Sequence, residues 1–296
     1  MAMDKVFSSR CIVVWLMALS LLVGCEKEID IDYHEIEPIM VVEGVLTNED
    51  LNVVITSSRS MENPNKELYI TDCLVTVSSD EGWEEILVYD ASRHAYRSPS
   101  GRVGSSGHTY QLRIVNQGKE YVASSFMPQP SDITATRFFW MTVLDERFLA
   151  YDVLATDPQP EERNYFWYRF LRNDTVYRWN AFDDRGCPPG AIFREVLCMT
   201  ETMAEENKEE DHEHILYEGD KLYFELYSID RASYEYFQSL AMSSRTGSNP
   251  KGNINGGCLG FFTAAYVSHI PPFFFTFEGI EEWNKETFSF PIVSDN

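Results

Sequence analysis

Alternation with a period of two is the feature that most constrains this chain. From Pro38 onward, short runs rich in β-branched and aromatic residues are separated by turn residues, at 39–44, 51–56, 73–77, 85–89, 94–97, 109–115 and 120–124. In Leu51-Asn52-Val53-Val54-Ile55-Thr56 and in Thr109-Tyr110-Gln111-Leu112-Arg113-Ile114-Val115, apolar side chains recur at every second position. An extended backbone sends such residues to one face, which can then be buried. Asn116-Gln117-Gly118-Lys119, between the last two runs, predicts a hairpin turn. Short strands at this spacing predict an immunoglobulin-like β-sandwich over residues 38–127. The Cys–Trp–Cys pattern of antibody-type domains is missing, so only the architecture is expected.

Met127-Pro128-Gln129-Pro130 interrupts pairing with two prolines and marks the boundary to a second, β-rich domain over 131–296. Strands are expected at 134–143, 148–155, 164–171, 219–229 and 261–267, with 172–214 irregular. One short helix is expected over 232–244. Asp230 is placed to cap it, and Tyr236, Phe237 and Leu240 recur at helical spacing. Seven acids between Glu201 and His214 predict a solvated, disordered loop near 201–214. The glycine-rich stretch 252–260 has neither the lysine nor the following helix of a phosphate loop, and reads as a turn where two strands approach closely.

Composition narrows the function classes. The chain of 296 residues carries 47 Asp and Glu against 24 Lys and Arg, a formal net charge of −23. Nucleic acid is not an expected partner, because phosphate binding needs the opposite sign. Aromatics at 14% and apolar residues at 44% are enough to fill a core. The N-terminus reads as an export signal over residues 1–24: Lys5 and Arg10, an apolar stretch over 11–23, then Gly24-Cys25. Leu22-Val23-Gly24-Cys25 resembles the bacterial lipobox, which implies cleavage before Cys25 and its acylation. The expected partner is then the lipid bilayer, reached through acylated Cys25. The stretch 25–37 is an acidic tether, and Glu26-Lys27-Glu28-Ile29-Asp30-Ile31-Asp32 resembles the signal that sends lipoproteins to the cell exterior. The expected location is the outer membrane, facing outward.

Few residues offer chemistry. Cys187 and Cys198 are close in sequence and are candidates for a disulfide in an oxidising compartment. Cys73 lies in a strand-like run and reads as a small buried residue. His212 and His214 are the nearest pair for a metal, but they belong to the acidic loop, so no metal site is expected. Nucleophile elbows, phosphate loops and zinc-protease motifs are missing. No catalytic residue, no enzyme activity and no cofactor are expected. The remaining signal is aromatic. Tyr165, Trp167 and Trp179 are candidates for a stacking platform, although alternation puts Tyr165 and Trp167 on one face of their strand and Phe166, Tyr168 and Phe170 on the other.

Four further stretches stand together with the lipobox and the acidic start: Val41-Val42-Glu43-Gly44, Tyr234-Glu235-Tyr236-Phe237, Asn253-Ile254-Asn255-Gly256-Gly257 and Gly260-Phe261-Phe262. In this combination the chain resembles the bacterial lipoprotein family labelled domain of unknown function 4249. The resemblance covers nearly all of the chain after Cys25. It implies a lipoprotein encoded beside TonB-dependent outer-membrane receptors and carries over no catalytic residue. The expected function is an accessory or ligand-capturing partner of a TonB-dependent uptake system. The alternatives are a surface adhesion or structural module and, less favoured, a glycan or peptide hydrolase.

Overall fold

The computed structural model describes residues 38–58, 68–144, 146–202 and 215–283, with Val143 by its backbone alone. The first strands are β1 (Met40–Thr47), β2 (Leu51–Ser57), β3 (Leu74–Ser79), β4 (Glu84–Asp90), β5 (Ala95–Arg97), β6 (Thr109–Asn116) and β7 (Lys119–Phe126). They are followed by β8 (Ile133–Val143), β9 (Glu146–Thr156), β10 (Tyr165–Arg172), β11 (Thr175–Asp183), β12 (Ala191–Cys198) and β13 (Lys221–Ile229). Helix α1 (Arg231–Thr246), β14 (Leu259–His269) and β15 (Phe273–Phe274) complete the order. The protein is mainly β and sandwich-like, as the alternation predicts.

One sheet runs β11-β10-β13-β14-β1-β2-β5-β4-β3-β6-β7, with β15 paired to β13; a smaller sheet runs β12-β9-β8. The large sheet folds over at the short β5, so that its two arms face each other. Val42, Leu46, Val53 and Ile55 from β1 and β2 pack in one buried cluster with Val75, Val77, Leu112 and Ile114 from β3 and β6. These are the alternating positions of the sequence, and their burial is the main force closing this sandwich. The β6–β7 hairpin turns where expected. Gln117 and Gly118 both take positive φ, 48° and 80°, which matches the right-handed twist of the flanking strands.

This first sandwich is completed from far along the chain. β14 runs parallel to β1, from Val41 opposite Leu259 to Thr47 opposite Ala265. Phe262 and Ala264 of β14 are fully buried in the first core. Gly260 makes the approach feasible: its φ is +100°, and a Cβ there would collide with the Val42 carbonyl oxygen. The glycine-rich stretch before it is a close-packed turn. Asn255 exchanges backbone hydrogen bonds with Val122 (2.8 and 3.0 Å). The Asn253 side chain receives Phe262 N–H (2.9 Å) and donates to Phe262 O (2.7 Å).

A second sandwich forms where β11-β10-β13 packs on β12-β9-β8. Phe166, Tyr168 and Phe170 of β10 and Phe224 of β13 meet Tyr151 of β9 and Val196 of β12. Two of its strands fall where the sequence reads as irregular, namely β11 and β12. Each is the edge of its sheet. Edge strands tolerate charged and polar residues, which breaks the alternating signal. After Pro271-Pro272, Phe275 is buried in this core and Phe274 is exposed.

The opposite face of β10-β13-β14 is covered by α1. Phe237 and Tyr236 pack on Phe261, Ala265 and Tyr227. The helix starts as the sequence predicts: Asp230 Oδ1 accepts Ser233 N–H at 2.8 Å. It ends at Gly247, whose N–H returns to Ser243 O.

Candidate functional site

Asp230 does more than cap α1. Its Oδ2 accepts from Ser125 Oγ (2.7 Å) and from Phe126 N–H (3.1 Å), at the end of β7. Ser125 Oγ in turn accepts Ala264 N–H of β14 (2.9 Å). One buried serine and one carboxylate therefore tie the start of the helix to two strands of the first sandwich. The carboxylate keeps its acceptors filled by charge-assisted hydrogen bonds.

Beside this junction is a cavity of about 190 Å³. Pro128 and Gln129 of the inter-sandwich segment line one side. The loop leading into β10 lines another, with Arg163 and Asn164, and Tyr165 and Asp230 close it. The loop is held by its own polar groups. Asn164 N–H donates to Asp184 Oδ2 (2.8 Å), and the Asn164 amide reaches Asp157 Oδ1 (3.1 Å) and Gln159 O (3.0 Å). Burial raises the Asp157 carboxyl above its ordinary value, and the nearby Asp184 charge adds to this. The two cations at the mouth are engaged on the outside: Arg163 reaches Asp183 at 3.8 Å and Arg231 reaches Glu235 at 2.9 Å. The cavity is below the roughly 300–1,000 Å³ of drug-sized sites. It suits a small polar molecule or one inserted side chain, held by amides and an aromatic edge. The sequence reading singled out Tyr165 and Asp230 but missed Gln129, Arg163 and Asn164. The turn-rich stretch ahead of β10 was the available signal, since loops held by rigid strands commonly carry binding groups.

The aromatic candidates are brought together but form no open platform. Trp167 stacks on Phe237 of α1 (centroids 4.4 Å) and lies 4.6 Å from Tyr227. Tyr165 packs on Tyr234 at 4.9 Å and lines the cavity, and Trp179 meets Phe237 edge-on at 6.4 Å. Alternation makes one face of β10 core, and the structure covers the other as well, because α1 brings its own aromatic stripe.

The cysteine expectation is also corrected. Cys187 and Cys198 are free thiols. Cys187 Sγ lies against the Phe193 backbone at the start of β12, whereas Cys198 ends that strand. Five steps of extended chain lead from Phe193 to Cys198, a rise of roughly 16 Å, so a disulfide would require breaking β12. Burial pushes the Cys198 thiol up to about 12 and raises those of Cys73, Cys187 and Cys258, which keeps all four in the unreactive form. Cys25, His212 and His214 lie outside the described residues. Among the described residues, no group of three or more His, Cys, Asp or Glu could hold a metal ion. No helix among them is long and apolar enough to cross a membrane.

Fold and site together define a double β-sandwich with a helix-covered outer face and a small cavity where the sandwiches meet. The chain belongs to the family described as Domain of unknown function (DUF4249), whose model matches residues 26–270. Comparison with curated proteins gives no match.

Proposed function

We propose that this protein is a lipid-anchored lipoprotein of the outer membrane, exposed to the cell exterior, that captures a small polar ligand in support of a TonB-dependent uptake system. The observation that carries the capture role is the cavity beside Tyr165. Its polar groups are fixed before any ligand arrives, by the Asp230 junction and the Asn164 loop, so little ordering cost remains at binding. The anchor rests on Leu22-Val23-Gly24-Cys25 and the acidic tether that follows. Three acyl chains on one cysteine exceed the two signals that stable membrane attachment requires.

Two experiments test the reading. Cys25→Ser should abolish labelling by a fatty-acid probe and release the protein from the envelope; unchanged fractionation would remove the anchor. Crosslinking on intact cells should capture a TonB-dependent receptor with the wild-type protein, and failure to do so would remove the uptake role.

One observation favours the second reading, an adhesion or structural module. Leu74, Ile86 and Val88 are 45%, 57% and 57% exposed. The register of β3 and β4 places them side by side on the outer face of the first sandwich. Contiguous exposed apolar side chains mark protein contacts more often than small-molecule sites.

A further inference from the structure

The second sandwich ends in two edge strands, β11 and β12, one from each sheet, and both send an arginine inward. Arg178 pairs directly across from Phe170, whose ring is in the core, and shares its face. The register shift at Phe170/Leu171 turns the neighbouring Tyr177 the same way. Arg194 lies between Ile192 and Val196, both core residues, and faces the same space from the other sheet.

Three observations set this pair apart. First, the Nε atoms of Arg178 and Arg194 are both buried without a hydrogen-bond partner. Second, neither guanidinium makes an ion pair among the described residues, in a chain with 47 acids and 24 basic residues. Glu195 feels the Arg194 charge but forms no salt bridge with it. The position of β11 directly across from Tyr168 carries Asn180, which is neutral. Third, aromatic rings hold both groups in place. The Arg178 guanidinium carbon is 5.1 Å from the Tyr177 ring, and that of Arg194 is 5.1 Å from Phe182 and 5.9 Å from Tyr168. The register puts Arg178 across from Phe170, two positions along β10 from the Tyr168 ring that Arg194 covers from the other sheet, and both charges lower the Tyr168 phenol against the rise that burial causes. Each guanidinium reaches a phenol, Arg178 that of Tyr177 and Arg194 that of Tyr168, but its buried Nε–H keeps no acceptor, which costs stability, and a planar guanidinium is the best match for the two oxygens of an oxyanion. Both residues are half-buried.

We propose that Arg178 and Arg194 form a binding site for a small oxyanion, a carboxylate or phosphate group, at the open edge of the second sandwich. The site is separate from the cavity beside Tyr165 and does not depend on the role proposed for it. The test uses the full chain and follows the arginine Nε–H resonances by NMR during titration with inorganic phosphate, with succinate, and with chloride at matched ionic strength. Phosphate or succinate should shift two buried Nε–H signals saturably, and chloride should not. The stronger of the two anions identifies the ligand group. Arg178→Gln and Arg194→Gln should each remove one signal and weaken binding at least tenfold, while Arg113→Gln, at an exposed arginine paired with Glu120 on the first sandwich, should leave it unchanged. Three results would overturn the proposal: no saturable shift with either anion in the wild-type protein, an equal response to chloride, or full binding by the Arg178→Gln/Arg194→Gln double variant. The wild-type titration decides the question even if a variant fails to fold.

Discussion

The two arms of the large sheet solve the same problem differently. In β3 and β4 of the first sandwich one face is core and the other meets water, where Leu74, Ile86 and Val88 remain exposed. In β10 and β13 both faces are covered, one by the β12-β9-β8 sheet and the other by α1. The alternation in sequence is similar in both places. A strand therefore specifies which side chains share a face, while the element that docks there decides whether the second face is surface or core.

The comparison can be broken most severely at the doubly covered strand. Phe170 is fully buried, with ring centroids 4.8 Å from Tyr151 and 5.7 Å from Phe224. Phe170→Ala should cost about 3–5 kcal/mol in denaturant unfolding, because the closed site cannot collapse around the cavity. The helix-covered side depends on its tether. Asp230→Ala removes the cap of α1 and orphans Ser125 Oγ and Phe126 N–H, and should cost about 2–3 kcal/mol. Amide exchange should then rise along α1 and at Ala264 but not in β3 or β4; a uniform rise would mean the helix is not separately tethered.

A pH experiment sharpens the contrast on the small sheet. Asp152 of β9 is buried and its Oδ1 has no hydrogen-bond partner. Burial lifts its carboxyl from 3.8 to about 6, against the pull of Arg137, with Glu195 adding repulsion. The folded state then holds a proton that the unfolded chain releases between pH ~4 and ~6. This contribution is fully present below pH ~4 and is lost as pH rises through about 6. Asp152→Asn should remove that decline, about 3 kcal/mol, read as the difference in unfolding free energy between the two proteins across this window. The smallest effect belongs to the open face: Ile86→Thr should change stability by less than about 0.5 kcal/mol, since the side chain is already in water. A larger loss would show that something covers this face in solution.

Much of the local structure is legible in the residues. The alternating runs became strands, Asn116-Gln117-Gly118-Lys119 became the β6–β7 turn, and Asp230 caps α1. These features depend on neighbours within a few positions. The binding features were harder to read. Asn164 and Arg163 become cavity residues only because Pro128 and Gln129 arrive opposite them. Trp167 looked available because the helix that covers it begins more than sixty residues later. Cys187 and Cys198 looked close because sequence distance says nothing about whether the intervening chain is turned or extended.

By itself the sequence determined the period of each strand, its turns, its helix cap and the negative charge of the whole. All of these follow from backbone sterics and from groups a few bonds apart. Only the tertiary structure decided that β14 joins β1 across more than two hundred residues, that α1 closes the second face of β10, and that two edge strands each turn an arginine toward the second core. Those outcomes depend on the fit between surfaces distant in sequence, where burying matched apolar faces outweighs the entropy of closing long loops.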